Sequence, residues 1–289
     1  MQRWLSDPPP DHFFEIGEYS LAGASYRNAR EQKQEKLVER GLVASPSTPN
    51  MLKPELYRDA LPRVAEAPRG KPGTAALAIP DYAARMAILD FEQFPASDTE
   101  AMALLRFRLR KSVPFHIEEA QLTYAVQMAE PKRTEVLAVA IARPILDEYE
   151  AMLVEAGYRV GLVMPSSIAA LPLCNSTQKG ITLLAKSTGS TLAVLLVEQG
   201  RVRLVRSLDL TSEEDAVLPM LQQTLAFAED QIGEPVRRIL LAGFGAETEA
   251  LGSRIERDFG IHCEPLRSRL GTASRENAGV LGMLERYAA

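Results

Sequence analysis

Arg106-Phe-Arg-Leu-Arg-Lys-Ser-Val-Pro-Phe-His-Ile-Glu-Glu-Ala-Gln-Leu-Thr-Tyr-Ala-Val126 holds three signals in one stretch. A basic amphipathic helix runs toward Pro114, a short turn of mixed aromatic and acidic residues follows, and an alternating strand leaves from Leu122. No nucleophile–base pair or metal-ligand spacing sits in it. It reads as a helix-to-strand junction that presents a surface, which points to assembly and not to chemistry.

Working outward, Ser97 or Asp98 caps the helix, predicted over about 99–112. Met102, Leu105 and Leu109 form its apolar stripe. Arg106, Arg108, Arg110 and Lys111 load its C-terminal end, where cations suit the helix dipole. Such arginines fit either acidic lipid, a motor protein, or an ordinary solvated face. Upstream, Ala75–Ile79 and Arg85–Phe91 read as strands. Downstream, Leu122–Val126 and Glu135–Ile141 pair across Glu130-Pro-Lys-Arg. A helix from Pro144 ends at Gly157, Val160–Met164 is a strand, and Ser166 or Ser167 caps a helix through Leu173.

Before this block, residues 1–12 are polar, proline-rich and expected to be flexible. Phe13–Ile16 and Ser20–Tyr26 form a hairpin turning at Gly17, residues 27–50 are loop-like, and a helix starts with Pro54 in its first turn. After it, Gly180–Ala185 and Thr191–Val197 are strands joined by Lys186-Ser-Thr-Gly-Ser190. Arg203–Leu208 follows a Glu198-Gln-Gly200 turn, and Ser212 caps a helix with Glu213–Asp215 in its first turn, running to about Ile232. Arg238–Ala242 is a strand entering Gly243-Phe-Gly245, and a helix covers about 247–259. The halves rhyme: each opens with a strand, a glycine hairpin and further strands, then helices. That weak duplication points to an α/β, actin-like (ribonuclease H-like) fold of two lobes.

The chain has 289 residues, 46% of them hydrophobic, and a net charge of -5. It is globular, and the acidic balance speaks against nucleic acid as a partner. No apolar run reaches the roughly 18 residues of a membrane span, and the N-terminus lacks a signal-peptide core. The expected location is the cytoplasm. Cys174 and Cys263, far apart, read as small hydrophobes, and the three histidines stand in unrelated contexts, so no metal is expected.

Several segments resemble, in order, the PilM family, actin-like cytoplasmic proteins of type IV pilus assembly related in fold to the division protein FtsA. Phe14-Glu-Ile-Gly-Glu-Tyr-Ser-Leu-Ala22 is similar to the opening Asp-Ile-Gly hairpin, and Ala76-Leu-Ala-Ile-Pro80 to the next strand. Arg110-Lys-Ser-Val-Pro-Phe-His-Ile-Glu-Glu119 resembles the family's Pro-Phe junction. Residues 136–170, with Tyr149, Ala156-Gly157 and Ala169-Ala-Leu171, resemble the segment that closes the first lobe. Pro235-Val-Arg-Arg-Ile-Leu-Leu-Ala-Gly-Phe-Gly245 resembles the adenosine-loop strand. The likeness covers about 13–285. It implies a first lobe over 13–174 with an inserted subdomain at about 75–150, and a second lobe over 175–289.

The resemblance also implies a nucleotide site between two glycine hairpins, and the chain departs from it. Glu15 stands where the family has Asp, followed by Gly17. The second Asp-x-Gly aligns with Leu184-Ala-Lys186, with Gly189 alone to bend the loop. Lys186 either meets a phosphate or is solvated. Gly243 and Gly245 either form a phosphate or adenine turn or merely end a strand. Between Ser207 and Ile239 there is room for one helix, so the lid subdomain is missing and the second lobe is reduced. Glu15, Gly17, Gly189, Gly243 and Gly245 are therefore expected to be a vestigial site, without catalysis, ATP or magnesium.

The implied partner is the cytoplasmic tail of a PilN-like inner-membrane protein, through which the chain would sit at the membrane. Other pilus platform or motor proteins and self-association are further partners the family suggests. Pro114, Phe115, Ile117 and Tyr124 are candidates for the pocket wall; the alternative is that Phe115 and Ile117 fill the subdomain's core. Two competing readings are an actin-like ATPase that closes on Mg-ATP and a GspL-like component of type II secretion.

Overall fold

The structure, a computed structural model, describes residues 8–68, 70–174, 180–210, 217–273 and 276–287. The chain opens with strands β1 (His12–Ile16), β2 (Ser20–Ser25) and β3 (Lys33–Lys36), helix α1 (Pro54–Val64) and strand β4 (Gly73–Ile79). The strand β3, Lys-Gln-Glu-Lys, lies in the stretch expected to be loop. Its charges carry no apolar alternation, and they suit the sheet edge it forms beside β2. Next come β5 (Arg85–Phe91), α2 (Asp98–Leu109), β6 (Gln121–Glu130) and β7 (Arg133–Ile141), then α3 (Arg143–Glu155), β8 (Tyr158–Pro165) and the short α4 (Ser166–Ala170). The second half holds β9 (Ile181–Thr188), β10 (Thr191–Glu198), β11 (Arg201–Asp209), α5 (Val217–Phe227), β12 (Val236–Ala242), α6 (Thr248–Phe259), β13 (His262–Pro265) and α7 (Ala278–Tyr287). The Ser212 cap with Glu213–Asp215 lies outside the described residues. Among the described residues no helix is long and apolar enough to cross a membrane.

The rhyme between the halves is a topological identity. The first sheet has the order β3-β2-β1-β4-β8 and the second β11-β10-β9-β12-β13. In each, the first three strands are antiparallel neighbours and the last two run parallel to the first. The period of two along β1 sends Phe14 and Ile16 to one face, where Tyr57, Leu61, Ile145, Tyr149 and Leu153 of α1 and α3 cover them. Phe13 points the other way, against Ala76, Ala78, Ala169, Val280, Met283 and Leu284.

That second face decides where the cleft lies. Ala278 and Leu281 of α7 pack on the other sheet, beside Leu184, Leu195 and Leu240, while Val280 and Leu284 pack on the first. Thus α7 and α4 sit between the two sheets. The region expected to be second lobe from 175 to 289 gives its last helix to the interface. The inserted subdomain, expected over about 75–150, has its own sheet, β5-β7-β6, only between Arg85 and Ile141, because β4 and α3 belong to the first lobe's layers.

Candidate functional site

Glu15 stands on the face of β1 that meets α7, and its carboxylate is fully buried. Four donors surround it. Lys186 Nζ donates to Oε1 at 2.9 Å, and Ser166 Oγ donates to the same oxygen. The backbone N–H groups of Gly279 and Val280, at the N-terminus of α7, donate to Oε2 at 2.7 and 3.2 Å. A carboxylate at a helix N-terminus is favoured by the dipole and satisfies orphan donors. A side chain at position 279 would strike that carboxylate and the Ala78 methyl, so glycine is required there by proximity.

Lys186 is 1% exposed, which corrects the expectation of a solvated lysine. Residues 184 and 186 share a face of β9, and that face is turned inward onto the first lobe. Besides Glu15, Nζ donates to Thr188 Oγ1 at 2.7 Å. One side chain further in, Asp81 is buried and accepts from the Ser167 N–H at 3.0 Å and from its hydroxyl. Burial pushes its carboxyl pKa up, opposed by the nearby Lys186 ammonium. One cation therefore faces two buried acids.

The tips of the two hairpins touch. Ser190 Oγ donates to Glu18 Oε1, and Arg40 bridges both, at 3.1 Å to the Ser190 hydroxyl and 2.9 Å to Glu18 Oε2. Gly189 has a φ of +59°, and a Cβ there would lie 2.6 Å from the Glu18 carboxyl carbon. Gly17 faces the Glu276 carboxylate, and its carbonyl accepts from the Tyr57 hydroxyl at 2.8 Å. Burial raises the Tyr57 phenol far above its ordinary range. Gly243 and Gly245 end β12 with φ of +87° and +57° and turn the chain toward α6. Phe244 between them packs in the second lobe's core.

A second junction between the lobes carries little sequence signal. The Gln127 amide on β6 makes two bonds to the backbone of Val202 on β11, donating to the carbonyl at 2.9 Å and accepting from the N–H at 2.8 Å. Beside it Glu135 of β7, 2% exposed, faces Arg201 at 3.1 Å and Arg203 at 3.9 Å. The inserted subdomain thus fastens the edge strand of the second lobe. Only Glu135's position on an apolar strand hinted at this, since a buried acid needs partners.

The four candidates for a pocket wall do not converge. Ile117 is 1% exposed and lies in the subdomain's own core with Leu105, Leu109 and Leu122, which is the core-filling alternative and not an open wall. Tyr124 bonds Asp98 at the N-terminus of α2 at 2.9 Å and stacks edge-on to Phe94. Phe115 follows the opposite end of that helix, where it touches both the subdomain's core and the core of the first lobe. Pro114 beside it is exposed. Arg106 is not a solvated face residue: it donates to the carbonyls of Ile117 and Ala120 and pins the junction. The thiols of Cys174 and Cys263 are pushed up to about 12 by burial, so neither is a nucleophile near neutrality.

No protein-family model and no curated protein matches the sequence. Solved structures do match. A chain of the PilM-PilN type IV pilus biogenesis complex is followed over 98% of this chain and 100% of its own length, at 16% identity and a TM-score of 0.78. A Bacteroides thetaiotaomicron protein with an actin-like ATPase fold is followed over 99% of both chains at 12% identity and a TM-score of 0.56. The cytoplasmic domain of EpsL, from the type II secretion system of Vibrio cholerae, is followed over 80% of both chains at 13% identity and a TM-score of 0.50. The doubled sheet order, the helices between the sheets and these likenesses agree: the chain has the actin-like fold, in a form similar over its whole length to a chain of the PilM–PilN complex.

Proposed function

We propose that this chain is a cytoplasmic scaffold of a type IV pilus or related secretion assembly platform, binding the tail of a PilN-like inner-membrane protein without turning over nucleotide. The observation that carries the reading is the buried Glu15–Lys186 pair. An actin-like site for Mg-ATP needs an acid free to hold a metal-bound water and two hairpins far enough apart to admit phosphates. Here both oxygens of Glu15 are occupied by an ammonium, a hydroxyl and two backbone donors. The hairpin tips are bonded through Glu18, Ser190 and Arg40. These residues do not fit a magnesium-loaded triphosphate, and a structural role remains for the closed body.

Docking of the tail is supported by the seam between the inserted subdomain and the first lobe. Phe115 spans that seam, Pro114 stands open beside it, and β6 is the outer strand of its sheet. An extended peptide pairs with such an edge through its backbone and places alternate side chains in apolar recesses. The likeness to the EpsL domain favours type II secretion as the second setting for the same role.

A thermal-shift titration with Mg-ATP tests the reading. The expected melting temperature is unchanged into the millimolar range. A ligand present at a hundred times its Kd would add roughly 2.7 kcal/mol, a shift of several degrees. Such a saturable rise would overturn the nucleotide-free scaffold in favour of an ATPase.

A further inference from the structure

We propose that the C-terminal end of α2 and the turn after it touch an anionic phospholipid surface directly. Phe107 is 74% exposed, the most exposed aromatic side chain among the described residues. Around it Arg108, Arg110 and Lys111 are exposed, as are Pro114 and His116. Phe107 and the C-cap Arg110, still in the right-handed helical region, follow the spacing i, i+3 and share one side of the helix end, and Lys111 follows in the turn. The six residues 106–111 hold four cations and no acid, in a chain whose net charge is -5.

These charges are weakly compensated. Arg106 spends its donors on the carbonyls of Ile117 and Ala120, so its charge meets no carboxylate there. Arg108 lies over the Phe91 ring at 5.1 Å, which is attraction without neutralisation. Arg110 meets Glu118 at 3.6 Å with both side chains mostly in water, a pair that solvent screens.

The pattern favours lipid over an acidic protein. A protein partner is anchored by an aromatic group seated in a dry pocket and ringed by fixed contacts. Here one ring projects among long, flexible cations. That arrangement suits a fluid interface: the ring enters the headgroup boundary, and the aliphatic stems follow while their charges stay with phosphates. Each cation near an anionic leaflet changes partitioning by roughly five-fold. The inference goes beyond the scaffold reading and does not rest on it, because the vesicles that test it contain no protein.

The test is co-sedimentation of the full chain with vesicles of mixed phosphatidylglycerol and phosphatidylcholine, against pure phosphatidylcholine. Binding to the anionic vesicles alone, released by high salt, is expected. Arg110→Gln with Lys111→Gln should lower partitioning roughly thirty-fold. Phe107→Ser should weaken binding and keep its salt dependence. In a Trp4→Phe background, Phe107→Trp should show a blue-shifted emission on adding anionic vesicles. Phe107, Arg110 and Lys111 are exposed, and circular dichroism checks that the variants are folded. Equal binding to both vesicle types, or binding unchanged by the double substitution or by Phe107→Ser, overturns the proposal. So does pelleting with neither vesicle, the result expected if the face served an acidic protein.

Discussion

Lys186 joins β9 to the first lobe through a buried charge. Its ammonium contacts the buried Glu15 carboxylate and lies near the buried Asp81, so its removal leaves the charge of Glu15 with no counterion in a dry site. Breaking a buried pair from one side costs about 3–5 kcal/mol, whereas replacing both partners with apolar or neutral groups of similar size is often mild. Lys186→Ala should therefore lower the urea unfolding free energy by about that amount, and Glu15→Gln with Lys186→Met by clearly less. Equal losses in the two variants would contradict the coupling. His12 makes a second prediction. Its ring packs edge-on to Tyr158 at 5.2 Å, its Nδ1 is buried without a hydrogen-bond partner among the described residues, and burial lowers its pKa. The unfolded chain takes up a proton near pH 6.5 that the folded chain refuses until lower pH. Stability from this residue is present above that value and is lost as pH falls through the window below it. His12→Phe should flatten the decline in urea midpoint between about pH 7 and about pH 5.

Among the elements, α7 is held by shape. Its Gly282 lies so close to α4 that a Cβ would come within 2.1 Å of the Ala169 carbonyl oxygen. Gly282→Ala should destabilise by about 1–3 kcal/mol or more through overpacking, measured by thermal or urea unfolding. Gly161→Ala, where nothing stands within 4 Å of the new methyl, should stay within about 0.5 kcal/mol. The same elements show what the sequence could tell. The hairpin at Gly17, the helix of the 98–109 region and the β6–β7 pair were legible because apolar period and turn chemistry are local. Lys186 was not, since its burial depends on Glu15, 171 positions away. Ile117 stayed open between two readings for the matching reason: one apolar residue after a Pro-Phe turn looks the same whether it faces a groove or a core. The π-turn Ala228–Ile232 carries α5 to Gly233, so the helix ends where the sequence indicated, at Ile232.

At the scale of the molecule, two polar junctions among the described residues tie the lobes together beside the packing of α7 and α4 between the sheets. One is the charged cluster under the hairpins, and the other is the Gln127–Val202 and Glu135–arginine contact made by the inserted subdomain. The second is carried by β6, β7 and β11 and shares no residue with the first, so it can be loosened separately. Gln127→Ala with Glu135→Ala should speed amide exchange along β11 and enlarge the small-angle scattering radius, while exchange in β1 stays slow. If β1 and β11 lost protection together, the body would be one cooperative unit and the separate-junction account would fail.

Glu15 also sets an order of events during synthesis. Its partner amides at Gly279 are made 264 residues later, so the first strand leaves the ribosome long before its acid can be capped. Until α7 emerges, the carboxylate lacks two of its four donors, and the nascent first lobe carries a bare face of small side chains at Ala76 and Ala78. This protein completes its opening strand last.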